Sequence, residues 1–107
     1  MNQAIFIGNL VASAALKNAN GNSFITFTLA VNRKYKNTNE TLYVECVKNG
    51  DNANLLPYLT KGQKVAVSGR VSCRAYTNKQ NLAAAVMELS VYELELVGKA
   101  KEQQAPF

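Results

Sequence analysis

Residues 64–76 constrain this chain more than any other stretch. Read with a period of two, Val65, Val67, Gly69, Val71, Cys73 and Ala75 fall on one side, and Ala66, Ser68, Arg70, Ser72, Arg74 and Tyr76 on the other. The first side is apolar, whereas the second carries arginines and ends in an aromatic ring. That alternation belongs to a strand with one buried face, and solvated arginines on the other are its ordinary outcome. Arginines and a tyrosine on one strand face also suit a flexible polyanion whose bases can stack. The rest of the chain decides between the two.

A chain of 107 residues supports one domain with one modest core, and 48% hydrophobic residues are enough to build it. No apolar run reaches the roughly 18 residues of a membrane-spanning helix, and no basic segment followed by an apolar one opens the chain. The expected location is the cytoplasm, with no membrane partner. Cys46 and Cys73 each lie on the apolar phase of an alternating stretch and lack paired ligand spacing. Both are expected to be buried free thiols that act as small hydrophobes, not a disulfide or half a zinc site. Histidine is absent, so no serine or cysteine has an imidazole to activate it, and the seven carboxylates are scattered. The chain is read as a non-enzyme without catalytic residues, metal or cofactor. Twelve lysines and arginines against seven acids leave a net charge of +5, which favours an acidic partner if the charges share a face.

Taken in order, residues 3–11 are apolar and β-prone, and Gly8 marks a bend or bulge of the kind found at a barrel corner. Residues 12–22 are small and polar and end in the turn signal Asn20-Gly21-Asn22. A second strand follows, with Ile25, Phe27, Leu29 and Val31 inward. Residues 33–40 place Arg33, Lys34 and Lys36 around Tyr35 in what reads as a polar loop, a mixture that single-strand binders use. Thr41 to Val47 is a third strand, with Tyr43 and Glu45 on one face and Leu42, Val44 and Cys46 on the other. Residues 50–62 read as a single helix. Pro57 fits best in its first turn, which puts the N-cap at Asn54, and Gly62 is the stop. Leu55, Leu56 and Leu59 would plug one end of the core.

The fourth strand, 64–76, then turns through residues 77–81 and returns over 82–97. There Met87, Leu89 and Val91 have one phase and Leu94 and Leu96 the other, so a bulge or bend is expected near Tyr92 and Glu93. The expected fold is all-β: a five-stranded Greek-key OB-fold barrel with one short helix between the third and fourth strands, a fold whose strand 2–3 face and 1–2 and 4–5 loops bind oligonucleotides. This domain would occupy residues 1–98, and residues 99–107, which have no periodicity, would form a short flexible tail.

At this point the sequence resembles the bacterial single-stranded DNA-binding proteins. The residues that carry the likeness are Asn2 with Ile5-Phe6-Ile7-Gly8-Asn9-Leu10, Asn20-Gly21 followed by Phe27-Thr28-Leu29-Ala30-Val31, and Thr41-Leu42-Tyr43. Further along they are Tyr58-Leu59-Thr60-Lys61-Gly62, Val67-Ser68-Gly69-Arg70 and Arg74-Ala75-Tyr76. Their order and spacing span residues 2–97. The resemblance implies that Tyr35, Tyr43 and Tyr76 stack on bases, while a fourth aromatic place of the family is Asn49 here. It also implies assembly into a homotetramer, or a homodimer. A long tail that ends in an acidic run and a terminal Pro-Phe recruits replication and repair enzymes in the family. This chain keeps Pro106 and Phe107 as candidate docking residues, behind a short linker whose one acid is Glu102.

The reading is therefore a protein that binds and protects single-stranded DNA with little sequence preference during replication, recombination or repair. Arg33, Lys34, Lys36, Arg70, Arg74 and Lys79 would track phosphates and the three tyrosines would stack. The alternative is an OB-fold adaptor of a primosome or replication complex, with weak nucleic-acid binding.

Overall fold

The structure is a computed structural model and describes residues 1–50 and 54–98. Six strands make it up: β1 (Ala4–Leu10), β2 (Ala15–Ala19), β3 (Asn22–Tyr35), β4 (Thr38–Asn49), β5 (Lys64–Thr77) and β6 (Ala83–Leu96). Their order is β1-β5-β6-β4-β3-β2, and a further β1–β3 pairing closes five of them into a barrel, with β2 as an appendage on β3. All pairings are antiparallel except β4–β6, where Val44 to Val47 run parallel to Met87 to Ser90. This is the expected OB-fold barrel.

Closure happens at Gly8 and the residues after it. β1 pairs with β5 from Ala4 to Asn9 and passes to β3 at Asn9 and Leu10, which oppose Ala30 and Leu29. A Cβ on Gly8 would sit 2.5 Å from the Ala30 carbonyl oxygen, so the corner needs a residue without one. The expected irregularity in the last strand is present too. Ser68 opposes Glu93 but Gly69 opposes Val91, which leaves Tyr92 as the extra residue of a β-bulge. The inward phase thus changes from Leu89 and Val91 to Leu94 and Leu96, as the apolar pattern requires.

The core is the inner face of this barrel. β3 supplies Ile25, Phe27 and Leu29, β4 supplies Val44 and Cys46, β5 supplies Val65 and Val67, and β6 supplies Leu89 and Val91; Leu10 and Leu59 complete it. Gln63 is the one buried polar residue among those described; its amide nitrogen donates to the carbonyls of Lys64 and Val97 at 2.9 and 3.5 Å. Burial holds the Cys46 thiol protonated, with its pKa pushed up to about 12.

Four expectations need correction. Of the helix placed over residues 50–62, the described residues form a single 3₁₀ turn, Leu56–Tyr58, and its N-cap is Leu55, not Asn54. Pro57 falls at its start, as expected, but the turn goes no further, because Leu59 leaves the helical region and drops into the core with no exposed surface. The plugging role therefore survives in a shorter element, tied to the end of β1 by the Leu10–Gln63, Gly62–Leu10 and Ala14–Leu59 backbone hydrogen bonds. Residues 15–19, within the small and polar stretch 12–22 to which no strand was assigned, form β2. All of its positions are exposed, so no apolar alternation marks it, and the Asn20-Gly21 turn at positive φ (53° and 81°) folds it onto β3.

The polar loop 33–40 is the tip of the β3–β4 hairpin. Pairing continues to Tyr35 opposite Thr38, and Lys36 takes the positive φ (55°) of a two-residue turn. Finally, Cys73 is exposed. It keeps the inward phase of Val65 and Val67, but the barrel ends near Val71 and the β5–β6 hairpin runs on beyond it, so phase no longer means burial. The expected tail, residues 99–107 with Pro106 and Phe107, lies outside the described residues, as do 51–53 of the expected helix.

Candidate functional site

The outer face of β3, β4, β6 and β5 is one continuous sheet surface, and its composition follows from register. On β3 and β4 the outward pairs are Ala30 with Tyr43, Thr28 with Glu45 and Thr26 with Val47. The parallel β4–β6 pairing then sets Glu45 beside Glu88 and Val47 beside Ser90. Across β6 and β5 the same side carries Ser90 with Arg70, Glu88 with Ser72, Val86 with Arg74 and Ala84 with Tyr76. Tyr43 and Tyr76 each face a small alanine partner, and the two residues are 58% and 46% exposed. Neither is needed to fill the core.

Four of the candidate residues are thereby gathered on this face: Tyr43, Arg70, Arg74 and Tyr76. The Arg74 guanidinium carbon lies 5.9 Å from the centre of the Tyr76 ring, within cation–π range. Arg33, Lys34, Tyr35 and Lys36 form a second group at the tip of the β3–β4 hairpin. Along β3, Lys34 has the phase of Ala30, whereas Arg33 and Tyr35 have the phase of the inward residues. Tyr35 is still exposed, because the core has ended below it. Its ring centre lies 5.0 Å from the Arg33 guanidinium carbon and 5.5 Å from the Lys36 Nζ. Lys79 stands apart in the turn between β5 and β6. There the Asn78 side-chain oxygen accepts from the backbone N–H groups of Gln80 and Leu82 at 2.9 and 3.0 Å.

Not every cation is unopposed. Arg33 lies 3.6 Å from Glu40, its cross-strand partner. Arg74 contacts two carboxylates, Glu88 at 3.4 Å and Glu45 at 3.9 Å. Lys34, Arg70 and Lys79 have no carboxylate partner among the described residues.

Sequence reasoning passed over Glu88 and Lys17. The neighbourhood of Glu88 and Glu45 depends on parallel pairing between strands distant in sequence, for which alternation within each strand carries no signal. Lys17 lines a groove of about 390 Å³ between the β1–β2 connection and the outer face of β3 and β4, together with Val11, Thr26, Thr28 and Glu45. A cation in the 1–2 connection was the available sign. Among the described residues, no group of three or more potential ligands could hold a metal ion, and no helix is long and apolar enough to cross a membrane.

Comparison with known proteins agrees with this architecture. Residues 1–97 match the model of the single-strand binding protein family. A single-stranded DNA-binding protein of Lactiplantibacillus plantarum is 32% identical over 97% of this chain, and the chain spans 54% of that relative's length. The small single-stranded DNA-binding protein of Streptomyces coelicolor superposes with a TM-score of 0.78 at 18% identity, over 89% of this chain and 93% of that one. An SSB of Plasmodium falciparum, solved in complex with single-stranded DNA, gives a TM-score of 0.71 at 23% identity, over 92% of this chain and 96% of its own. At these identities the two structures speak for the fold.

Proposed function

The chain belongs to the single-strand binding protein family, a family of binding proteins and not of enzymes, and from that premise we propose that it binds and protects single-stranded DNA with little sequence preference in replication, recombination or repair. The observation that carries this reading is the pair of exposed rings, Tyr43 and Tyr76, on one sheet face with Arg70. An exposed tyrosine between small neighbours offers a flat apolar surface to any base, because every base has a π-face. A cation on the same face meets the phosphates, and neither contact depends on sequence.

Tyr43 and Tyr76 stack on bases along the face, and Tyr35 does so at the hairpin tip. Arg33, Lys34, Lys36, Arg70 and Lys79 meet the backbone. Arg74 shares the face with two carboxylates against it. The outward side chains of β1, Ile5 and Ile7, are 68% and 51% exposed, a cost in contact with water that a second copy of the chain removes. The assembly we propose is a homotetramer, which sets several such faces on one strand of DNA. This role places the protein in the cytoplasm, with the DNA.

Tyr76 tests the reading. Tyr76→Ala should weaken binding of a labelled oligothymidine by about 1 to 3 kcal/mol, the worth of one base–aromatic stack. Its melting temperature should be held, and Tyr76→Phe should be nearly silent because stacking needs the ring and not the hydroxyl. A sharp fall in melting temperature with unchanged affinity per folded molecule would make Tyr76 a structural residue.

A further inference from the structure

Arg74 stands between two carboxylates that the fold has forced together. Glu45 and Glu88 are directly opposite in the parallel β4–β6 ladder and both face outward. Like charges so placed repel and destabilise the pairing. Arg74 reaches across from β5 to both, with its Nε and one terminal nitrogen 3.4 Å from the same Glu88 oxygen and 3.9 Å between the terminal nitrogen and Glu45. One guanidinium against two carboxylates leaves this part of the face with a net charge of −1, in a chain whose total is +5. All three side chains are partly exposed, at 55%, 50% and 36% for Arg74, Glu45 and Glu88. The contacts are therefore open to solvent and within reach of a phosphate.

We propose that Glu45 and Glu88 are an affinity brake on the DNA-binding face: they hold Arg74 as a bridge between strands and so compete with DNA phosphates for it. The proposal rests on the reading that this face binds single-stranded DNA. A phosphate that takes Arg74 exposes two adjacent carboxylates beside itself, so the arginine stays with its acids and the backbone is met by Arg70 and the lysines instead. Arg74 is then a positioning residue for the sheet face, and its charge is withheld from the DNA. The consequence is a shorter residence time than the number of cations alone implies, since affinity differences within one interface are carried mostly by dissociation.

The experiment is a set of oligothymidine titrations over a salt series, with the wild type, Arg74→Ala, the double variant Glu45→Gln/Glu88→Gln, and the triple variant that combines them. Each phosphate contact on a single strand contributes about −0.7 to the slope of log K against log salt. The double variant frees Arg74, so it should bind several-fold more tightly at low salt and steepen the slope by about 0.7. Arg74→Ala should leave the slope of the wild type unchanged but remove about 0.7 from that of the double variant. Glutamine keeps the shape of glutamate and relieves the like-charge pair, so melting temperature should not fall in the double variant.

A double variant with wild-type affinity and slope would overturn the brake, as would Arg74→Ala flattening the wild-type slope by a full contact. Either result would leave single-strand binding itself intact. A wild type that fails to bind oligothymidine would overturn the reading beneath the proposal and the proposal with it.

Discussion

The two cysteines show how far one residue can be read from its phase. Both Cys46 and Cys73 have the alternation of buried residues, yet one is sealed in the barrel and the other is exposed on a hairpin. Alternation states which side of a strand a residue takes; it does not state whether a core lies on that side. The difference has a chemical consequence, because the thiolate is the reactive form and burial keeps the Cys46 thiol protonated up to about pH 12. Titration of the native protein with a thiol reagent at pH 8 should modify one cysteine per chain, Cys73, and both only after unfolding. Rapid modification of two in the native state would contradict the burial of Cys46. The sign of the linked pH effect follows. A raised folded-state pKa contributes stability that is fully present below the unfolded value of about 8.5, and that contribution is lost as pH rises from there towards about 12. The outward places of Tyr43 and Tyr76 were legible for the opposite reason, since each lies on the polar phase of its strand.

At the scale of elements, what the sequence makes legible is what lies within one strand or one turn. The phase change between Val91 and Leu94 marks the bulge at Tyr92, and Asn20-Gly21 marks the turn that leads into β3. Leucines spaced for a helical face do not specify how many turns follow Pro57, so the described part of the helix expected over residues 50–62 is one 3₁₀ turn. β2 was missed because a strand exposed at every position has no hydrophobic period at all. The bulge also has a backbone requirement that only the three-dimensional arrangement displays: a Cβ on Gly69 would collide with the Ser90 carbonyl oxygen of the paired strand. A main-chain atom inside a ladder cannot give way as the end of a side chain can. Gly69→Ala should therefore cost about 1 to 3 kcal/mol or more by overpacking, seen as a lower midpoint in denaturant, whereas Ser68→Ala next to it should change little. An unchanged midpoint for Gly69→Ala would mean that the bulge relaxes freely.

For the whole molecule, the closed barrel was legible from the count and spacing of alternating segments, but the neighbours of each strand, the parallel contact of β4 with β6 among them, were not. The charge balance of the face was not, because it depends on which strands become neighbours. Two hairpins, β3–β4 and β5–β6, carry the candidate tyrosines and all six candidate cations, while the barrel between them supplies the rigid base. That division makes the central claim a statement about the kind of nucleic acid the molecule accepts. Stacking needs unpaired bases and so excludes duplex, and phosphate contact makes affinity fall with salt. The direct measurement is a titration of a labelled oligothymidine against a duplex of equal length, repeated across a salt series. Single-strand binding that is much the tighter is predicted, with log K falling against log salt by about 2 or more if Lys34, Arg70 and Lys79 each meet a phosphate. Equal affinity for the two forms, or a flat dependence on salt, would contradict the account.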